Sequence, residues 1–239
     1  MKKSFLSIIL VMVVLLSILL VGCDKNEAKP SSNESNDVTT VENEDIKIEN
    51  ADIYKDILND YENALAEYDF EDLDSDAKIE KKYPLVNISL IEHIARYADN
   101  GVKLTHAFYD INKDGIDELI VGAENACGAI YSYNKESNEV VKIYFLDSFE
   151  RANLEIYDNG VISMEGSGGA TIHLYEYGKI SEDSTSYEVL ESVMTEYMEE
   201  IQTLVFTNYE TDELLDYKSV EEIDEKYISG AKVVDIALQ

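Results

Sequence analysis

The residues best suited to chemistry stand in one short stretch, residues 108–122, which reads FYDINKDGIDELIVG. Gly115 occupies the position where a tight loop must bend sharply. Calcium is a hard cation that takes about six to eight oxygen ligands, and a loop with donors at alternate positions can wrap it. The spacing therefore predicts a structural Ca²⁺ site whose ligands are the side chains of Asp110, Asn112, Asp114 and Glu118 and the backbone carbonyl of Ile116.

Two other interpretations start from the same residues. An EF-hand needs a bidentate acid at its twelfth position, but counting from Asp110 that position is Val121. The flanking residues also alternate like strands, so the EF-hand is excluded. A hairpin turn without metal stays open, because Asn, Asp and Gly are ordinary turn residues. Against it, three nearby carboxylates repel one another unless a cation neutralises them.

The pattern D-x-N-x-D-G-x-x-E resembles the loop of FG-GAP repeats (the integrin propeller repeats) and of VCBS-type repeats, where the loop lies between two strands. Together with AIYSYN and GSGGATIHLYEY, it makes residues 104–180 similar to the single-loop domain of many surface lipoproteins of Firmicutes. The resemblance implies the same five calcium ligands and implies no activity. Glu118 stands where these repeats more commonly have Asp, and its side chain is longer. The motif occurs once, which argues against a complete propeller.

The N-terminus predicts export followed by lipid anchoring. Two lysines precede an apolar run over residues 5–21, and residues 20–23 read LVGC. This arrangement is typical of an export signal that is later removed, and it resembles the bacterial lipobox. We expect residues 1–22 to be a lipoprotein signal peptide and Cys23 to be diacylated and held in the lipid bilayer, since two acyl chains anchor stably. The alternative is an uncleaved anchor; both place the remaining chain on the extracytoplasmic side of the cell membrane.

Composition divides the remaining chain in two. Residues 23–50 are polar and poor in large apolar residues, which predicts a lipidated cysteine followed by a disordered tether. Residues 51–239 are predicted to form a single globular domain. Because 50 acidic residues face 19 basic ones, the net charge of −31 excludes nucleic acid as a partner. Cys127 has no intramolecular partner once Cys23 is lipidated, so we expect it to be buried as a small apolar residue.

Periodicity predicts an α+β fold, with N-terminal helices packed on an antiparallel β-meander and a short helix and strand at the C-terminus. Helical spacing covers residues 52–68 and runs from Pro84 to Asn100, with an acidic loop at 69–80 between them. The period then changes to two. The predicted strands cover residues 104–109, 118–123, 129–133, 140–146, 154–157, 161–164 and 171–177.

The C-terminal third is harder to assign. Residues 186–208 fit either one helix or two strands joined near Met198-Glu199, and we favour the strands. Ser219 and Glu222 predict a capping box that starts a helix ending near Tyr227. Residues 232–238 are predicted to form a closing strand.

The sequence assigns no catalytic residue. Residues 166–169 read GSGG, but the Asp that would precede a protease serine is missing, so we expect a turn or a close backbone approach there. The three histidines show no metal-ligand spacing. The favoured hypothesis is a membrane-anchored binding or structural module rather than an enzyme. An extracellular hydrolase and a transporter-associated solute-binding protein are the alternatives, and no protein or wall partner is indicated.

Overall fold

Helices come first along residues 50–239, which are the residues described by the computed structural model. The signal peptide, Cys23 and almost all of the predicted tether lie outside the described residues. The predicted helix over 52–68 is confirmed but is divided at Tyr54. The helices are α1 (Asn50–Ile53), α2 (Lys55–Glu67), α3 (Ser75–Lys82) and α4 (Ile88–Tyr97), the last continued by a 3₁₀ turn over Ala98–Asn100.

Helix α4 begins later than the sequence predicts. Residues 84–86 form a turn, and Asn87 caps the helix by accepting a hydrogen bond from the Leu90 amide at 3.3 Å. The cap satisfies an amide that has no partner within the helix, which places the start after Asn87 and not at Pro84. The apolar face then packs inward, since Leu90, Ile91 and Ile94 are all buried.

Helix α3 contradicts the predicted acidic loop over 69–80. Its apolar contribution to the core is essentially one residue, Ile79, which is buried. A single apolar residue in two turns cannot show a helical period, so the sequence pattern did not reveal it. Its first residue, Ser75, is also buried, and its hydroxyl accepts a hydrogen bond from the Asp69 amide at 3.0 Å.

Nine antiparallel strands follow in the described part of the chain. They are β1 (Leu104–Tyr109), β2 (Glu118–Ala123), β3 (Ala126–Asn134), β4 (Glu139–Phe145), β5 (Ala152–Ile156), β6 (Ile162–Ser167), β7 (Ile172–Ile180), β8 (Tyr187–Met198) and β9 (Thr203–Asn208). The ambiguity over 186–208 is resolved in favour of strands, and β8 pairs with β9 from Val193↔Asn208 to Met198↔Thr203. The α+β class with N-terminal helices is therefore confirmed.

The meander is divided into two sheets. The first sheet has the order β1-β2-β3-β4, and the second has the order β5-β6-β7-β8-β9. Pairing stops after β4, where the connection turns Leu146 and Phe149 into the core. One hydrophobic core joins the helices, the first sheet and the inner face of the second sheet, which is the face toward the first sheet.

The C-terminus departs from the prediction in two ways. Helix α5 (Val220–Tyr227) forms, but the predicted capping box does not: Glu222 accepts the amide of Lys218, one residue before the N-cap, at 2.7 Å, and Ser219 makes no side-chain cap bond. Residues 232–238 are not a strand. No neighbouring strand runs alongside them in register. They are joined to β5 and the turn that follows it only by one bridge, Tyr157↔Val233, and by single backbone hydrogen bonds.

The outer face of the second sheet carries a smaller core under α5. Ile223 of the helix is buried there with residues of the second sheet, among them Tyr177, Val193 and Phe206. The second sheet therefore has a hydrophobic core on each of its two faces. None of the helices within residues 50–239 is both long and apolar enough to cross a membrane.

Candidate metal centre

The predicted calcium loop is the hairpin connection between β1 and β2. Its side chains fold back onto its own backbone: Asp110 accepts the amides of Asp114 at 3.1 Å and Gly115 at 3.0 Å. Asn112 Oδ1 accepts the Asp114 amide at 3.1 Å, and Asp114 Oδ1 accepts the Ile116 amide at 2.8 Å. These bonds within the protein hold the loop's side-chain oxygens in place without the help of a ligand.

Gly115 is required by the backbone at the bend. Its φ is +88°, in the left-handed region that glycine adopts without steric penalty. Lys113, two residues earlier, also has a positive φ of 63°. The tight turn is what lets Asp110 reach amides that lie four and five positions further along the chain.

Glu118 lies beneath the loop as the first residue of β2, and its side chain is fully buried. One carboxylate oxygen accepts the Ile111 amide and the other accepts the Ser132 hydroxyl, both at 2.8 Å. Burial raises the pKa of Glu118 to about 7, and the charges of Asp114 and Asp110 act in the same direction. The three carboxylates are thus close enough to repel one another.

The loop also joins three layers of the fold. Ser184, in the turn between β7 and β8, donates to Asp114 Oδ2 at 2.9 Å and accepts from Asn112 Nδ2 at 2.7 Å. On the helical side, the Tyr54 hydroxyl donates to the Asp117 carbonyl at 2.9 Å. Tyr54 is fully buried and Ser184 is 3% exposed, so both bonds are shielded from water. The loop therefore connects the first sheet to the helices and to the second sheet.

One cation already lies beside the loop. Lys135 Nζ donates to the Asp114 carbonyl at 3.0 Å and lies 3.8 Å from Asp114 Oδ1. The ammonium is half-exposed, so it offsets only part of the repulsion around Asp114. This contact keeps the alternative of a hairpin without metal open.

The residues present fit calcium by chemistry and by charge. The five predicted ligands lie within one turn and would bind through oxygen, and three of them are carboxylates. Within residues 50–239, however, no three His, Cys, Asp or Glu side chains are gathered tightly enough to surround an ion as they stand. Burial is the main cause of the raised pKa of Glu118, and the nearby carboxylates of Asp114 and Asp110 add to it; this gathering of acidic groups is the structural observation that favours a cation here.

Other predicted positions have structural explanations. Cys127 is buried, and burial raises the pKa of its thiol to about 12, which fits the small apolar residue that was predicted. On the outer face of the second sheet, Glu155, Glu165 and Asp224 share a pocket of about 140 Å³. That volume is well below the roughly 300 Å³ at which small-molecule sites begin, so the pocket lends no support to a hydrolase.

Sequence reasoning missed the partners that come from outside the loop. Ser184 lies 70 residues from Asp114, and Tyr54 lies 63 residues before Asp117. A serine in a turn and a tyrosine in a helical stretch carry no signal of such contacts. The ligand pattern itself was detectable because all of its members lie within one turn.

No protein-family model and no curated protein matches this chain. Among solved structures, it is similar to a Xanthomonas protein described as related to a type IV secretion system, with a TM-score of 0.34 and 12% sequence identity. The match covers 47% of this chain and 57% of that protein, so it spans little more than half of the relative's length. A similarity at this level carries no argument about function.

Proposed function

We propose that this chain is a lipid-anchored extracytoplasmic module whose loop at residues 110–118 binds one Ca²⁺ ion in a structural role. The observation that supports the proposal best is the loop's position at the junction of the helices and both sheets, through Tyr54 and Ser184. An ion bound there strengthens a connection on which three layers depend. The proposal includes no catalytic residue.

The loop's own residues would hold the ion. Asp110, Asn112, Asp114 and Glu118 offer side-chain oxygens and Ile116 offers its carbonyl, while calcium supplies the positive charge that offsets repulsion among the carboxylates. Backbone amides already orient Asp110 and Asp114, so binding requires little further ordering of these side chains. Affinity in the range of extracellular modules, about 10⁻⁴ to 10⁻³ M, is expected.

Melting curves of the full-length chain in detergent, with calcium and with chelator, test the metal site. About 10 mM Ca²⁺ is roughly ten to a hundred times the expected dissociation constant and should stabilise by about 1–3 kcal/mol. For a protein of this size, that raises Tm by about 3–10 °C. Equal melting temperatures with calcium and with chelator would contradict the proposal.

Matched variants separate calcium binding from loop stability. Asp110→Asn keeps a side-chain oxygen for the loop amides but removes a charge, so most of the calcium-dependent rise in Tm should be lost. Asp69→Asn is the control: Asp69 also orders a turn, accepting the Glu71 amide at 2.9 Å, but lies outside the loop and outside the turn that carries Ser184. That variant should keep the full rise, and an equal loss in both variants would count against a specific site.

Mass spectrometry of the membrane fraction tests the lipid anchor. In a bacterial host, the full-length chain should lose residues 1–22 and carry a diacylglyceryl group on Cys23. A Cys23→Ala variant should take up no labelled palmitate. A wild-type protein that retains residues 1–22 and carries no lipid would indicate the uncleaved anchor instead.

A further inference from the structure

A groove of about 660 Å³ separates strand β5 from the C-terminal segment, residues 232–239. Its volume lies within the range of roughly 300–1,000 Å³ that ligand sites occupy. The groove is lined by four consecutive residues of β5, so it follows the edge of that strand and not one of its faces. Among the described strands, β5 is an edge strand of the second sheet and pairs only with β6. The rest of the lining comes from residues 233–238 and from Ile120, Asn125 and Cys127.

The backbone of β5 presents unpaired groups to this groove. In an antiparallel strand, the N–H and C=O of one residue point to the same side, and those of the next residue point to the other side. The Tyr157 amide donates to the Val161 carbonyl toward β6, whereas the Ile156 carbonyl accepts the Val234 amide on the groove side. Leu154 therefore also points to the groove. Within residues 50–239, the N–H and C=O of Leu154 and the N–H of Ile156 form no hydrogen bond.

The C-terminal segment lacks backbone partners along the same groove. It is held at one end by the Val234 amide, which donates to Ile156 at 2.8 Å, and at the other by the Gln239 amide, which donates to His106 at 3.1 Å. Between these points, residues 235–238 make no backbone hydrogen bond to any other part of the described chain. Since backbone groups shielded by protein are seldom left unpaired, water or another chain must satisfy both walls of the groove.

An extended peptide supplies the groups that both walls lack. A sheet edge with unpaired amides and carbonyls is a template for the addition of a further strand, and many peptide-binding proteins use such an edge. Directly paired residues in neighbouring strands share a face. Alternate side chains of an added strand would therefore lie beside the buried Leu154 and Ile156, and the others would lie on the outer side beside Glu155.

The charge of the groove selects among the possible peptides. Its described lining contains two carboxylates, Glu155 and Asp235, and no lysine or arginine. Residues 24–49 of this chain are themselves acidic, and a second copy carries the same net charge of −31, so both are repelled. We propose that the groove binds an extended peptide of a partner protein in which basic and apolar residues alternate. Its backbone pairs with β5, and its basic side chains lie toward the two carboxylates.

Amide hydrogen exchange of the full-length chain in detergent and calcium-free buffer, with and without the peptide acetyl-KVKVK-amide, tests the proposal. The amides of Leu154 and Ile156 should exchange at least about tenfold more slowly with the peptide, because they gain carbonyl partners. The Glu155 amide faces β6 and is the internal control, since its exchange should not change. Unchanged exchange at Leu154 and Ile156 would overturn the proposal. Because calcium is absent, this test and the melting test fail independently.

Methylated peptides separate strand pairing from the attraction of opposite charges. N-methylation of the two valines, or of the three lysines, blocks one edge of the peptide strand and keeps its charge. At least one of the two forms should bind about tenfold more weakly than the unmodified peptide in equilibrium dialysis, because main-chain hydrogen bonds give such complexes their affinity. Equal affinity of all three peptides would overturn strand addition.

Acidic peptides and one pair of variants test the choice of a basic partner. Acetyl-EVEVE-amide and a peptide of residues 37–49 of this chain should leave Leu154 unprotected. Protection by either of them, or protection that rises with protein concentration when no peptide is present, would overturn the proposal. Asp235→Asn should weaken binding of the basic peptide by about threefold, since it removes one exposed charge. Glu139→Gln removes an exposed charge outside the groove and should leave that affinity unchanged.

Discussion

Glu118 and Glu176 are both acids whose pKa burial raises, yet their surroundings differ. Both oxygens of Glu118 accept a hydrogen bond, one from a backbone amide and one from Ser132. Glu176 instead lies beside the hydroxyls of Tyr144 and Tyr187, which act to lower its pKa, and near the charges of Glu210 and Asp147, which act to raise it. The first carboxylate is therefore held by donors of its own loop and sheet, whereas the second depends on tyrosines from both sheets.

The pH dependence of stability should report on Glu176. Its folded-state pKa lies above the unfolded value, so the unfolded chain releases this proton first as pH rises, and stability falls across the interval between the two pKa values. The groups that face it are Tyr144, Tyr187, Asp147 and Glu210. Glu176→Gln removes this loss. Relative to wild type, the variant should melt equally near about pH 4 and higher near about pH 8.

The control for this experiment is Glu155→Gln, on the opposite face of the same sheet. The difference in melting temperature between this variant and wild type should not change with pH in the way expected for Glu176→Gln. Melting temperatures measured at several pH values in calcium-free buffer are sufficient. A difference between Glu176→Gln and wild type that is the same at both pH values would show that Glu176 titrates alike in the folded and unfolded chains.

Residue-level prediction from sequence succeeded where the chemistry is local. Asp110, Asn112 and Asp114 were identifiable because their spacing alone orders a turn, and the loop bonds confirm that they share it. That these residues bind calcium remains a prediction. The surroundings of Glu176 had no such signal, since Tyr144 and Tyr187 come together only when the two sheets pack.

At the scale of elements, strand positions followed directly from alternation. The ends of β1 and β2 were predicted correctly because the Asx-rich loop marks both. The helix α3 was missed because Ile79 alone cannot establish a period, and the 232–238 segment was misjudged because its apolar alternation has no paired neighbour. Alternation shows which face is buried, but pairing depends on what lies alongside.

Asn87 connects helix α4 to the first sheet and carries the prediction at this scale. Its Nδ2 donates to the carbonyls of Gly128 at 2.7 Å and Leu146 at 3.1 Å, while its Oδ1 caps the helix at Leu90. Asn87→Ala removes the cap and leaves two carbonyls without this donor in a buried position. The loss should be about 2–4 kcal/mol in urea unfolding.

The comparison for Asn87 is Asn159, an exposed turn residue with a similar set of bonds. Its Nδ2 donates to the Tyr227 carbonyl and its Oδ1 accepts the Val161 amide, both at 3.0 Å. Water can replace these partners, so Asn159→Ala should cost less than about 1 kcal/mol. Equal losses in the two variants would mean that burial does not set the importance of Asn87.

At the scale of the whole described chain, the division into two sheets is the feature that sequence spacing concealed. The strands follow one another at similar intervals on either side of the break, so nothing in the alternation marks it. The break appears only in the pairing, after the buried Leu146 and Phe149. The loop at residues 110–118 gains its significance from this division, since it joins the two sheets through Ser184.

The C-terminal segment, residues 232–239, makes a second connection between the sheets. His106 of β1 exchanges two backbone hydrogen bonds with Gln239, both at 3.1 Å. Near β5, the Asp158 amide donates to the Lys232 carbonyl at 2.9 Å, and the Val234 amide donates to Ile156 at 2.8 Å. The segment's apolar side chains also pack against the main core.

Deleting residues 232–239 should therefore destabilise the fold by roughly 3 kcal/mol, through lost apolar burial as well as lost hydrogen bonds. Deleting Gln239 alone is the control, because it removes only the bonds to His106. Amide hydrogen exchange separates the two effects: the His106 amide should exchange faster in both variants, and the Asp158 amide only in the longer deletion. If Asp158 stays protected in the longer deletion, the segment does not hold that end of β5, and the loop at residues 110–118 carries the connection between the sheets without it.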